Sequence, residues 1–377
     1  MVAASAVTSG WRSWNGPARL HGVDLARALA VLGMLAAHLL TIEDPFTLTR
    51  PETWIDLVNG RSSVLFALLA GVSLALVTGG LRPLGGPELS RARVRIAVRA
   101  AVLWVVGVLL IQTGVPVYVI LPAYAILFLL ALPALSAKPA ALWGVAATVA
   151  VLVPWVLPVL DILPDGPGEI GETVSLLLGL AYPFPVWIAF LLAGIAIGRT
   201  DLRQPYTQIV LLSGGLAVAV GAALLSEVLD GSGFLDDPYL AAVWSAVPHS
   251  SGIIDVVGSA GVAASVLGGC LLICRTPLTW VLAPLRAVGS MPLTAYAGQI
   301  LAWAVAALVL LGDTGDLFGF RELRPLGWFI AGTIVSCTVW AVLRGQGPLE
   351  RALARLVAWL VPTDAAPPPP GAAPSRR

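Results

Sequence analysis

Apolar runs of about twenty residues recur along the chain, separated by short stretches that carry almost all of its charge. A run of that length, rising about 1.5 Å per residue as an α-helix, crosses the roughly 30 Å of a bilayer's hydrocarbon. The pattern predicts ten spans, over 23–42, 62–79, 94–112, 116–135, 140–160, 175–198, 209–228, 253–274, 290–312 and 326–344. Past the last span the pattern changes. Leu349, Leu353, Leu356 and Leu360 recur at helical spacing with Glu350, Arg351 and Arg355 off that stripe, which predicts an amphipathic helix on the membrane surface. The end of the chain, with Pro367 to Pro370 in a row, cannot build a core and is expected to be a disordered tail. The expected divisions are a segment over 1–22, a transmembrane domain over 23–344, an interfacial helix over 345–363 and a proline-rich tail over 364–377.

Composition narrows the class. Only 11% of residues are charged and 58% are hydrophobic, with a mean hydropathy of +0.90, against about 25% charged in an ordinary soluble domain. A soluble enzyme is excluded, because a fold in water needs a polar skin that this chain cannot supply. A formal charge of +1 points to no nucleic-acid partner. The distribution of charge says more. With the N-terminus in the cytoplasm, 18 basic residues fall inside and 4 outside, while 16 acidic residues fall outside. The positive-inside rule then predicts an all-α, ten-span bundle in the cell membrane with both termini cytoplasmic. Three cysteines in apolar stretches, Cys270, Cys274 and Cys337, make no disulfide framework, and no metal site is expected from them.

Ionisable groups inside spans are the informative ones, since each is costly unless it faces the bundle interior or water. Asp24 and Arg27, spaced i, i+3 at the inner mouth of the first span, can pair on one helix face. His38 lies fourteen residues beyond Asp24, about 21 Å along the axis, in the outer half of the hydrocarbon. It reads either as a structural imidazole or as a general base or acyl acceptor near the outer surface. Asp56 and Arg61 follow it at the start of the second span. They read as a helix cap and a snorkelling arginine, or as a carboxylate that orients His38 and a cation for a developing oxyanion. His249 and Asp255 flank the start of the eighth span on the same side, where they are solvated groups or part of a substrate pocket. Arg91, Arg95 and Arg99 share a helix face at the inner surface, as topogenic charge or as a pyrophosphate clamp. No Walker loop, dinucleotide fingerprint or nucleophile elbow is present.

Four stretches together resemble a known group. Arg19 to Ala30, with Asp24 and Arg27, looks like the first-span signature "R-x-x-x-L/V-D-x-x-R-G-x-A" of membrane acyltransferases that include the heparan-α-glucosaminide N-acetyltransferase family and related bacterial proteins of the domain-of-unknown-function 418 type. Gly60 to Gly71 is similar to the second-span "G-K/R-x-x-x-L-F-S-x-L-F-G" of those bacterial relatives, with Ala67 and Ala70 where Ser and Phe are usual. Val288 to Tyr296 and Gly347 to Glu350 resemble their later "G-x-M-x-L-T-x-Y" and "G-P-L-E" elements.

The resemblance implies transfer of an acyl group, typically acetyl, from cytoplasmic acetyl-CoA to a sugar or similar acceptor on the far side. His38 occupies a place similar to the first-span histidine of the wider superfamily, while the loop over 43–60 lacks the histidine expected in the animal lysosomal enzymes. On this reading His38, Asp56 and Arg61 form the catalytic group. CoA enters near Arg27, Arg95 and Arg99, and the acceptor approaches near His249 and Asp255. The expected partners are the bilayer, acyl-CoA and an extracytoplasmic glycan or small molecule, with a homo-oligomer compatible with the sequence. The rivals are a proton-coupled transporter or flippase using the same intramembrane groups, and a polytopic scaffold or sensor.

Overall fold

The computed structural model describes residues 14–16, 19–42, 44, 46–47, 49–160 and 168–362 of the chain, and among these it is helical with no strand. Glu43, most of the N-terminal segment and the tail over 364–377 lie outside the described residues. The helices that matter here are α1 His21–Leu39, α2 Arg61–Val77, α3 Gly86–Ile111, α4 Leu121–Ala131, α5 Pro139–Leu152, α6 Phe184–Gly198, α7 Pro205–Asp230, α8 Ile253–Ile273, α9 Ala283–Ser290, α10 Pro292–Leu311, α11 Leu326–Arg344 and α12 Pro348–Leu360.

Among the described residues, seven helices are long and apolar enough to cross a membrane: α1, α3, α5 with its extension to Val159, α7, α8, α10 and α11. The 3-10 helix Pro51–Val58, unforeseen in the loop after the first span, joins α2 at a bend of 45° to give an eighth candidate. The runs expected over 116–135 and 175–198 fold as the shorter helices Leu121–Ser136 and Phe184–Gly198. Prolines explain the late starts. Pro122 and Pro185 stand in the first turns of α4 and α6, where a residue without an N–H is tolerated, whereas an earlier helix start would set each ring against the carbonyl four residues before it.

Helix α1 runs through the middle of the bundle against α2, α8 and α9, burying Ala26, Ala28, Ala30 and Val31 completely. Small residues set the closest approaches, as in other membrane bundles. A Cβ on Gly71 of α2 would strike the backbone of Leu191 in α6, and one on Gly289 of α9 would strike the carbonyl of Asp24. Helices α7 and α11 bury few residues, so lipid is the natural cover for their apolar sides.

Two arginines read only as inner-surface charge are buried tethers. Arg199, 5% exposed, donates to the carbonyls of Ala75, Thr78, Gly80 and Leu135 and to Thr78 Oγ1. Its two terminal nitrogens thereby satisfy carbonyls left open where α2 ends, together with that of Leu135, and its charge suits the negative end of that helix dipole. Arg286, fully buried, donates to the Thr279 carbonyl and Oγ1, to Asn15 and to His21 Nδ1, and lies over the ring of Trp14.

Helix α12 forms where the leucine spacing predicts, but it is not a free surface helix. Leu349 and Leu353 pack on the core and Val357 is buried, while Leu356, Trp359 and Leu360 stay exposed. The two late sequence motifs turn out to be one joint. Glu350 accepts from the backbone N–H groups of Leu293 (2.8 Å) and Thr294 (3.1 Å) and from Thr294 Oγ1 (2.5 Å). A carboxylate thus caps the N-terminus of α10, whose first amides have no partner within their own helix.

Candidate active site

The end of α1 that begins the helix opens on a cavity of about 280 Å³ walled by α1, α2, α3, α4, α10 and α12. Its walls are mostly apolar, with Arg27, Ser73, Arg99 and Glu350 among the polar exceptions and Tyr124 and Tyr296 deeper in. The first-span motif supplies one side. Asp24, 3% exposed, accepts from Arg19 Nε at 2.9 Å and Arg27 Nη1 at 3.1 Å, while Arg27 Nη2 donates to Ser73 Oγ at 2.7 Å. Each charge of Arg27 and Glu350 is therefore already committed to protein partners. Arg99 differs. Its Nε is buried, and it makes no hydrogen bond or ion pair among the described residues. Leaving a buried N–H of this kind without an acceptor costs about 1–3 kcal/mol, so the cavity has one cation waiting for an anion.

The grouping of basic residues expected from their shared face is not kept. Arg95 points its guanidinium at the C-terminal end of α12, donating to the Val361 carbonyl at 3.1 Å, and Arg93 donates to the Leu132 carbonyl at 3.0 Å. Only Arg27 and Arg99 of the expected donor set line the cavity. Helix periodicity placed Arg95 and Arg99 on one face, but Arg95 is drawn to the end of α12 while Arg99 stays in the cavity wall.

At the other end of α1 the structure brings several of the expected residues into one cluster. Arg61 approaches Asp56 at 3.9 Å and stacks its guanidinium over Phe46. Asp56 is held by the Phe46 N–H at 3.0 Å and Asn59 Nδ2 at 3.2 Å. It makes no hydrogen bond to His38 among the described residues, so the expected carboxylate orienter of that ring is otherwise occupied. Asp255 accepts from Ser251 N–H at 3.3 Å and Ser259 Oγ at 3.1 Å and lies within electrostatic reach of Arg61. It fixes the loop before α8, in which His249 and Ser251 both take left-handed backbone angles, φ 66° and 59°. Non-glycine residues adopt these rarely, and they tend to cluster where a loop is held for a purpose.

His38 is half-buried in the last turn of α1, within electrostatic reach of His249 and Arg321. Arg321 donates two hydrogen bonds, at 2.9 and 2.8 Å, to the His38 carbonyl, which fixes the helix end that bears the ring. A small recess beside it is lined by Gly60, Trp187, His249, Ser251 and Asp255. The first turn of α2 separates this cluster from the cavity. Tyr124 Oη in the cavity donates to the Ser63 carbonyl at 3.4 Å, and Gly60 lies against His249. About 4.5 Å of helix rise, three residues, lies between Gly60 and the Ser63 carbonyl that Tyr124 reaches from the cavity side. Among the described residues no group of three or more His, Cys, Asp or Glu could hold a metal ion.

Sequence reasoning missed Tyr124, Tyr296 and Glu350 as parts of the cavity. Tyr296 and Glu350 stand in the late motifs, whose residues carry no indication of what they face, and Tyr124 stands in none of the motifs.

These features define a multi-pass helical membrane protein with a polar site near each end of its central helix. The sequence model of the heparan-α-glucosaminide N-acetyltransferase catalytic family matches residues 19–223, more than half of the chain, and the chain belongs to that family. No curated protein and no solved structure matches the chain. The matched region contains α1 to α6, and with them Arg27, His38, Asp56, Arg61 and Arg99.

Proposed function

We propose that this membrane acetyltransferase takes acetyl-CoA from the cytoplasm into the cavity beside Arg27 and Arg99 and transfers its acetyl group to a sugar or related amine or hydroxyl arriving at the His38 end. The observation that carries the reading is Arg99, a half-buried cation with a buried Nε and no partner among the described residues, in a mostly apolar cavity. A phosphate of CoA supplies the missing acceptor, and the apolar walls suit the pantetheine arm. The charge split along the sequence supports both termini in the cytoplasm, which puts Arg99 on the donor side and His38 on the acceptor side.

His38 removes the acceptor proton as the nucleophile adds, the step for which an imidazole is suited near neutral pH. Arg61, steadied by Asp56, supplies fixed positive charge near the acceptor, and His249 and Asp255 shape the mouth through which it comes. The test is calorimetric titration of the purified, detergent-solubilised protein with acetyl-CoA, followed by an acetyl-transfer assay with glucosamine. Binding without transfer to any amine or hydroxyl acceptor overturns the acetyltransferase mechanism, and absence of binding overturns the donor assignment.

A further inference from the structure

Three tyrosines near the cavity are buried, and their hydroxyls are used differently. Tyr124 Oη donates to the Ser63 carbonyl and Tyr182 Oη donates to the Tyr118 carbonyl at 3.1 Å. Tyr296, 6% exposed, instead accepts from the Ile120 N–H at 3.2 Å and donates to no acceptor among the described residues. Its hydroxyl proton is therefore free beside a cavity it lines. A buried hydroxyl that already accepts one hydrogen bond becomes a stronger donor, because each bond in a chain polarises the next.

We propose that Tyr296 is a catalytic residue of the transfer, donating its hydrogen bond to the thioester carbonyl oxygen of the acetyl donor. The inference rests on the donor reading above. As the acceptor nucleophile adds to the carbonyl carbon, the C=O electron pair moves onto that oxygen, and the Tyr296 O–H holds the charge. When the C=O bond re-forms, the C–S bond breaks and its electrons leave with sulfur. The proton taken from the acceptor neutralises the thiolate, so CoA departs as the thiol. Tyr296 keeps its proton throughout.

The backbone around Tyr296 is arranged to hold it still. It lies in the first turns of α10, whose N-terminal amides and Thr294 hydroxyl are bound by Glu350, while Ile120 fixes the phenol oxygen itself. Rigid placement is what such a donor requires, since its contribution comes from being aimed in advance at the position where charge develops.

The test is Tyr296→Phe, which keeps the ring and removes only the hydroxyl. Acetyl-CoA affinity should stay within about threefold of wild type while kcat falls about a hundredfold, the scale for losing one such donor. Difference infrared spectroscopy with carbonyl-labelled acetyl-CoA adds a readout that packing alone would not move. The bound thioester band should lie below its free frequency in wild type and return toward it in Tyr296→Phe. An unchanged kcat and an unshifted band overturn the proposal, as does a variant that loses binding and thermal stability together, which would make Tyr296 structural. Wild type that binds no acetyl-CoA overturns the donor reading and this inference with it, whereas wild type that turns over beside an unimpaired variant overturns this inference alone.

Discussion

Replacing Arg99 by alanine separates an anion-binding role from a topogenic or structural one. Arg99 has no protein hydrogen bond or ion pair among the described residues, so the substitution breaks no described contact of its guanidinium. If that group holds a CoA phosphate, the loss is one charge-assisted contact of about 1.5–3 kcal/mol. At about 1.4 kcal/mol per tenfold change, acetyl-CoA should bind about 10- to 150-fold more weakly. The thermal midpoint in detergent should hardly move, because relief of an unmatched buried N–H opposes the lost packing of the side-chain stem. Raising ionic strength should weaken binding more in wild type than in the variant. Arg95→Ala is the contrast: it removes the bond to the Val361 carbonyl and should loosen the end of α12 while leaving donor affinity within about threefold, well below the change expected for a lost charge-assisted contact. Titration calorimetry with acetyl-CoA, beside a topology reporter on each variant, measures all of this. Arg99→Ala protein that inserts correctly and binds as tightly as wild type refutes the reasoning.

His38→Asn should insert and bind acetyl-CoA normally yet lose at least about a hundredfold in transfer rate, the usual scale for a general base; retained turnover in a steady-state assay would remove His38 from catalysis. Glu350→Ala leaves the Leu293 and Thr294 amides without their carboxylate and should cost about 1–3 kcal/mol, seen as a lower melting midpoint in detergent. Truncation after Pro362 should leave melting and acetyl-CoA titration unchanged, since the proline run cannot build a core; a severe loss would mean the tail docks. A reporter fused after Arg377 should be active only in its cytoplasmic form, and periplasmic activity would reverse the donor and acceptor sides.

Much of the helix inventory was legible because lipid imposes a simple rule: a spanning segment must be long, apolar and internally hydrogen-bonded. That rule fails to see where a helix starts. Pro122 and Pro185 delay α4 and α6 by several residues although the apolar runs begin earlier. The Asp24 and Arg27 pairing was legible for a different reason, since both partners lie on one helix three residues apart and form the contact by local geometry alone. Partners on different helices were not legible. Arg199 and Arg95 read equally well as inner-surface charge, yet one is buried on the carbonyls that end α2 and the other holds the Val361 carbonyl at the end of α12.

The same limit explains why the late motifs looked separate. Thr294 and Glu350 are 56 residues apart, and nothing in either segment announces that the carboxylate of one caps the helix of the other. Once they are joined, the motifs acquire a common purpose. Glu350 steadies the first turns of α10, those turns present Tyr296 to the cavity, and Ile120 from the start of α4 sets the direction of its hydroxyl. Arg27 and Arg99 face the same cavity from α1 and α3. Whether the parts of a site assembled from five helices in this way work together is read from couplings between them. If Glu350 acts by steadying Tyr296, then Glu350→Ala should lower kcat in wild type but have little further effect in Tyr296→Phe, the non-additivity expected of residues that work as one unit. Additive losses in that double-mutant cycle would show that the cap supports the fold without serving the chemistry.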